Sequence, residues 1–299
     1  MRVFVTGASG HIGSAVVPEL LQAGHQVVGL ARNDAAAERI AARGAEVHRG
    51  DVFDPDTHLD AVAAADGVIH LAYDHSFTDM AEAAAKDLRA VQAIGERLAG
   101  TGKPLVTTAG TLMLAIGAPG VVGLEQHALP GGPRVDTENA VVALAERGVR
   151  SSVVRLAPLV HSDLDHHGFG PVLIRVAREK GVAGYVGDGA NRWPGLNTRD
   201  AARIYRLALE TAPGGTRLHG VESEGYAFRE IAETIGKRLG LPTASIPAEE
   251  AGAHFGFLGG LVGLDNPVSN EFTRKTLGWE PEHVGLIEDL EQDHYFVER

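Results

Sequence analysis

Three glycines carry the first chemistry in this chain. Gly7, Gly10 and Gly13 stand at spacing G-x-x-G-x-x-G directly after the apolar run Val3-Phe4-Val5-Thr6, and Ile12, Ala15, Val16 and Leu20 follow at helical spacing. A strand, a glycine turn and a helix N-terminus make an anion site, because aligned peptide dipoles and unpaired N–H groups favour negative charge and glycine admits it close to the backbone. The pyrophosphate of a dinucleotide is the natural occupant, held by Gly7, Ser9, Gly10, His11, Ile12 and Gly13. At the tip of the next apolar run, His25 to Leu30, an acidic residue would accept from an adenosine ribose, but here Ala31 is followed by Arg32. A guanidinium can pair with a 2′-phosphate through charge-assisted hydrogen bonds worth roughly 1.5–3 kcal/mol. NADP is therefore the expected cofactor, and NAD stays open because Asp34 could serve a ribose.

Further groups lie where open α/β sheets bind ligands. Tyr73, Asp74 and His75 come just past the carboxyl end of the apolar run Gly67 to Ala72. His161, His166 and His167 lie among Asp163 and Asp165, yet their spacing matches no closed zinc site, so no metal is expected. Tyr185 to Pro194 is polar, glycine-rich and aromatic together, the composition of a pocket wall, with Arg192 and Trp193 as the substrate-facing pair.

These groups need a scaffold, and composition bounds it. The chain has 299 residues, 27 Lys and Arg against 39 Asp and Glu, and a net charge of −12. Such an acidic balance argues against nucleic acid, which requires a basic face. The absence of cysteine removes disulfides and thiolate chemistry. No run is long and dry enough to span a membrane, and the first strand starts too early for a cleavable signal, so the expected location is the cytoplasm.

The positioning elements alternate. Strands are expected at Val3–Thr6, His25–Leu30, Ala45–Arg49, Gly67–Ala72, Lys103–Thr108 and Gly148–Leu156. Helices are expected after Gly10, over Ala35–Arg43, Pro55–Ala64, Phe77–Leu98 and on a segment around Glu138 to Ala145. That order predicts an α/β doubly wound parallel sheet over residues 1–160, with later returns near 195–221 and a smaller substrate-binding region over 161–299. Within the latter, helices are expected over Pro171–Lys180, Ala201–Glu210 and Phe228–Leu239, and a strand over Thr216–Val221. The apolar stretch Glu249–Leu264, with Phe255, Phe257 and Leu258, reads as core or as the contact of a homodimer.

The segment Thr6 to Gly13 resembles the first glycine motif, T-G-x-x-G-x-x-G, of extended members of the short-chain dehydrogenase/reductase superfamily. Thr276-Leu277-Gly278-Trp279-Glu280-Pro281 resembles their closing L-G-W-x-P motif, so the likeness spans nearly the whole chain. The resemblance implies a Rossmann sheet, a nicotinamide cofactor and a C-terminal substrate region. It implies that Asp51 and Val52 meet the adenine and that Leu71 and Ala72 run alongside the cofactor. It places Asp200 as the cap of a following helix, and it marks Met113, His161, Phe169, Tyr185 and His75 as facing substrate.

The resemblance fails where the reaction is run. Family members end the fifth strand in a Ser or Thr and carry Tyr-x-x-x-Lys on the next helix, because a carbonyl receiving hydride needs a proton donor within reach. Here Ala109 falls at the hydroxyl position, with Thr108 or Thr111 as substitutes. Pro130 and Arg134 stand for Tyr and Lys, and no tyrosine occurs between Tyr73 and Tyr185. Tyr73, His161, His166, His167 and Tyr185 are the available donors; otherwise the reaction needs no strong acid, or the chain binds cofactor as a sensor. The reading is an oxidoreductase of the atypical extended type acting on a small carbonyl-type metabolite, with a non-catalytic NADP(H)-binding regulator and a sugar-nucleotide epimerase or dehydratase as alternatives.

Overall fold

The computed structural model describes residues 1–74 and 79–297. Strands β1 (Arg2–Thr6), β2 (Gln26–Ala31), β3 (Glu46–Arg49), β4 (Gly67–His70), β5 (Pro104–Gly110) and β6 (Arg150–Leu156) alternate with helices α1 (His11–Gln22), α2 (Asp34–Ala42), α3 (Leu59–Ala64), α4 (Met80–Leu98), α5 (Leu112–Gly117) and α6 (Val135–Ala143). The chain continues through β7 (Leu159–His161), α7 (Phe169–Lys180), β8 (Ala183–Val186), β9 (Arg192–Trp193), β10 (Gly195–Asn197), α8 (Thr198–Thr211) and β11 (Thr216–Gly220). It ends with β12 (Tyr226–Ala227), α9 (Phe228–Leu239), β13 (Thr243–Ile246), α10 (Ala251–Phe255), α11 (Glu271–Leu277) and α12 (Leu286–Leu290).

Seven strands form one parallel sheet in the order β11-β6-β5-β4-β1-β2-β3, a Rossmann arrangement. The order reverses beside β1, where Val5 stands opposite Gly29 of β2 on one side and Ile69 of β4 on the other. Val3, Phe4, Val5, Val68, Ile69, Leu105 and Val106 are fully buried, as expected of a parallel sheet covered on both faces. The carboxyl ends of β1 and β4 consequently open at the switch point, where such sheets take ligands.

The C-terminal half returns to this sheet and also builds its own core. Helix α8 packs along α1, and β11 extends the sheet beyond β6. Three short pairs, β10 with β7, β12 with β9 and β13 with β8, surround a second apolar cluster of Trp193, Phe228, Phe255, Leu258 and Leu286. The pair of β8 with β13 has no counterpart in the expected elements. Strand β13 carries only four residues, one of them buried, too little for a period-2 pattern.

Other boundaries also differ. The expected helix 55–64 divides into a 3-10 turn at Pro55–Thr57 and α3, because His58 leaves helical geometry between them. Helix α4 begins at Met80 with Asp79 as its cap, and the expected start at Phe77 lies outside the described residues. Asp200 does not cap α8. Asn197 does, accepting from the Arg199 N–H at 3.0 Å, while the Asp200 carboxylate accepts the N–H groups of Glu282 and His283 and so ties the C-terminal segment to α8. No described helix is long and apolar enough to cross a membrane.

The sheet edge is locked to α6 by a buried ion cluster. Arg155 and Glu138 are both fully buried; Arg155 donates to Glu138 at 2.7 and 2.5 Å, and Arg217 of β11 donates to the same carboxylate at 2.7 Å. Removing one partner of such a cluster strands the other charges without solvent. Glu138→Ala should therefore cost about 3–5 kcal/mol, read as a fall in the urea midpoint. Glu138→Gln should cost less, because its amide oxygen still accepts.

Candidate dinucleotide and catalytic site

The glycine turn is shaped by close approach. Gly7 has φ +68°, and a Cβ there would lie 2.7 Å from the Ala72 N; a Cβ at Gly13 would lie 2.3 Å from the Gly7 carbonyl oxygen. Any side chain at these two positions would force the loop away from β4 or lift α1 from β1. Gly10, by contrast, is exposed and a Cβ there would meet only Gly7 O, at 3.3 Å. Its amide bonds that same carbonyl, and the loop leads into the unpaired N–H groups at the start of α1. Ser9, His11 and Ile12 are half-buried around this mouth. The donor set and the bare backbone fit a diphosphate.

Where the adenosine is expected, Arg32 is exposed and forms no ion pair or hydrogen bond among the described residues. Asp34 is taken up by Arg49 at 2.7 Å, and Asn33 caps α2. Asp51 accepts from the Phe53 N–H at 3.0 Å within a turn, and Val52 is buried against Phe4.

A chain of polar contacts crosses the carboxyl ends of the central strands. Thr6 Oγ1 accepts from the Leu71 and Ala72 N–H groups and lies 2.9 Å from His70 Nδ1. With the Thr6 oxygen already accepting two N–H groups, its own proton goes to Nδ1, so His70 donates from Nε2 to Asp87, at 3.1 Å. Asp87 in turn accepts from Arg134 Nη1 at 3.0 Å. Burial works against the Asp87 charge, but the His70 hydrogen bond and the Arg134 guanidinium outweigh it and hold the carboxyl below its ordinary value. Arg134 also donates to the Thr108 carbonyl at 2.8 Å and stacks over the Tyr73 ring at 4.0 Å. It is the one described non-glycine residue with positive φ, +68°, a conformation costing about 1–3 kcal/mol that these contacts offset. Burial pushes the Tyr73 phenol above its ordinary value, and Arg134 opposes that shift.

The two threonines differ in what they have left to offer. Thr108 Oγ1 donates to the His70 carbonyl at 3.1 Å and accepts from Tyr205 at 2.8 Å, so both its roles are spent inside the protein. Thr111, fully buried, accepts from Asn266 Nδ2 at 2.8 Å and keeps its own proton. Ala109, expected where the hydroxyl would stand, is buried.

The residues expected to face substrate fall into separate places. Phe169 and Trp193 meet at 6.1 Å, but Trp193 is fully buried against Phe228 in the second core. Arg192 is held by both carboxylate oxygens of Asp265, at 3.1 and 3.0 Å. Tyr185 is half-buried beneath Arg229, and Met113 packs on the first core. His161 is buried between Asp289 at 3.0 Å and Glu222 at 3.2 Å, whereas His166 and His167 are exposed. His75 lies outside the described residues. Among the described residues no cluster of three or more His, Asp or Glu side chains could hold a metal ion.

The model of the NAD dependent epimerase/dehydratase family matches residues 3–127. An uncharacterized protein of Schizosaccharomyces pombe is 46% identical over 298 residues, spanning 99% of this chain and all of the relative. This chain belongs to that family. A UDP-glucose 4-epimerase of Streptomyces lividans is 26% identical, with 95% of this chain and 93% of the epimerase aligned. A short-chain dehydrogenase/reductase superfamily protein of Agrobacterium tumefaciens, solved with bound NAD, shares the fold at a TM-score of 0.76 and 20% identity, covering 99% of this chain and 96% of that one. Members of that family are NAD-dependent epimerases, dehydratases and reductases.

Neither His70 nor Asp87 was singled out by the sequence. The available signal was Asp87 itself, an acid on the same helix face as Ala83, Ala84, Ala90 and Val91. Such a residue must find a cation, and Arg134 is the one that reaches it.

The pair of carboxylates around His161 has a pH signature. Burial disfavours its charge, but hydrogen bonds to Asp289 and Glu222 outweigh that and raise its pKa to about 9. A folded-state value above the unfolded 6.5 means the contribution is complete below pH 6.5 and is lost as pH rises through 9. The thermal midpoint should fall across that window in the native chain, and His161→Gln should flatten the fall.

Proposed function

We propose that the chain is an NADPH-preferring, cytoplasmic oxidoreductase of small carbonyl-type metabolites in which Tyr73, rather than a tyrosine on the helix after β5, supplies the proton. The dinucleotide is assigned to residues 1–160 with the returns near 195–221, and the substrate to residues drawn mainly from 161–299. The observation that carries the reading is the Arg134 guanidinium lying 4.0 Å over the Tyr73 ring at the carboxyl end of β4, with Asp87 and Thr108 fixing it.

The bound nicotinamide supplies or accepts hydride. Tyr73 donates its phenolic proton to the oxygen of the carbonyl being reduced, and the adjacent fixed charge of Arg134 stabilises the tyrosinate left behind. Arginine suits this role better than it suits proton donation, since it stays charged at any working pH. Asp87 balances that charge in the resting site, and Thr6 and His70 hold Asp87 in place. Thr111 holds Asn266 in the buried layer behind the end of β5, and Arg32 takes the 2′-phosphate.

A sugar-nucleotide epimerase or dehydratase is the second reading, favoured by the alignment with the Streptomyces lividans epimerase. A cofactor sensor is the third, favoured by the spent hydroxyl of Thr108.

Stopped-flow oxidation of NADPH against aldehydes, ketones and enones, beside UDP-sugar conversion, separates the three. Tyr73→Phe should lower kcat by about 10²–10⁴ while leaving the NADPH Kd in place; unchanged turnover would move the proton elsewhere. NADPH should bind more tightly than NADH, and Arg32→Ala should erase that gap in calorimetric titrations.

A further inference from the structure

His11 is the first residue of α1, and its ring meets a small polar cluster. Its Nε2 lies 2.9 Å from Thr198 Oγ1. The Thr198 hydroxyl has one proton, and it goes to the His161 carbonyl at 3.1 Å, an oxygen that can only accept. Ser162 also donates to Thr198 Oγ1, at 2.9 Å. Thr198 can therefore only accept from His11, which puts the imidazole proton on Nε2 and leaves the Nδ1 lone pair of a neutral ring facing Asp165 Oδ1 at 3.6 Å. Asp165 is 4% exposed and accepts the Gly168 N–H at 2.7 Å. A carboxylate and a lone pair, both acceptors, face each other in a buried space, and a proton held by the pair relieves the opposition.

The surroundings do not relieve it in another way. His161, at the end of β7, offers Asp165 a positive charge, but Asp289 of α12 faces both and Glu222 holds the other side of His161. Tyr295 is close and neutral, its phenol pushed up by burial and by Asp165. His166 and His167 lie on the same exposed loop and oppose a charge on His11. Burial accordingly raises the Asp165 carboxyl to about 7, and burial with those three histidines lowers His11 to about 4.

We propose that the proton held by the His11–Asp165 pair is a second ligand of the dinucleotide site, so that the cofactor binds together with a proton and loses affinity as pH rises above neutral. This rests on the reading that the glycine turn seats the cofactor diphosphate. A diphosphate at the N-terminus of α1 brings negative charge beside the residue that contacts Asp165, and like charges favour the protonated carboxyl. Linkage then requires the proton and the nucleotide to raise each other's affinity by the same factor.

Calorimetric titration with NADH, which lacks a 2′-phosphate that would itself titrate, in two buffers of different ionisation enthalpy counts the protons taken up. Between pH 7 and 9 the chain should take up a fraction of one proton, and the Kd should weaken by up to about tenfold per pH unit. Asp165→Asn, whose amide N–H can face the His11 lone pair, should bind NADH as at pH 6 and show no pH dependence. Equal heats in both buffers, a flat Kd in the native chain, or an unchanged slope in Asp165→Asn would each overturn the proposal while leaving the cofactor reading intact. If neither NADH nor NADPH binds at any pH, both fall together. Should the variant fail to fold by circular dichroism, the buffer comparison on the native chain still decides.

Discussion

Asp87 is a carboxylate with no water to face, and the candidate site follows from where it finds its partners. It sits on the apolar face of α4, 2% exposed, and a charge so placed persists only if paired and hydrogen-bonded. One oxygen takes His70, which aligns it with the tips of β1 and β4; the other takes Arg134, which brings the start of α6 to the end of β5. That second contact holds Arg134 at positive φ and places its guanidinium over the Tyr73 ring. Five elements are thereby fixed at the carboxyl edge of the sheet by a single buried acid.

The same rule recurs elsewhere in the molecule. Glu138 gathers Arg155 and Arg217 where β6 and β11 meet α6, and His161 gathers Glu222 and Asp289 where β7 meets α12. Each of these clusters joins segments far apart in sequence at a boundary where apolar packing alone would allow sliding. Buried ion pairs contribute little net stability against an apolar replacement, because desolvation offsets their attraction. Their effect is on geometry: a mispaired arrangement would strand a charge.

The order of strands was legible because it is written in short apolar runs separated by glycine and polar turns, and β1 to β6 fall close to where those runs lie. The glycine turn was legible too, since Gly7 and Gly13 are required by backbone contacts only 2.3–2.7 Å from an added Cβ. The polar chain was not legible. His70 lies in a run that otherwise reads as buried strand, and its partner Asp87 is 17 positions away, beyond any periodic pattern. Trp193 was misplaced for a related reason. The glycines and charges around it read as a pocket wall, whereas β9 carries Trp193 into the core and turns Arg192 outward to Asp265. Local composition reports exposure averaged over a segment, and in a two-residue strand neighbouring side chains face opposite ways.

Loss of the tyrosine and lysine on the helix after β5 need not mean loss of their chemistry. What hydride transfer to a carbonyl demands is a weak acid near the oxygen and a fixed positive charge near that acid, whichever elements supply them. In the proposed reaction the acid comes from the end of β4 and the charge from the start of α6, and a carboxylate from α4 holds that charge in position. Lysine reaches as a flexible point charge, but a planar guanidinium can lie against a ring and at the same time hold a carboxylate and a backbone carbonyl. An arginine with all three contacts satisfied is rigid, and rigidity is what allows a donor on an unusual element to be aimed. On the proposed reading, Arg134 is thus better understood together with Asp87 and Tyr73, as one rearranged unit, than as a defect at a single position.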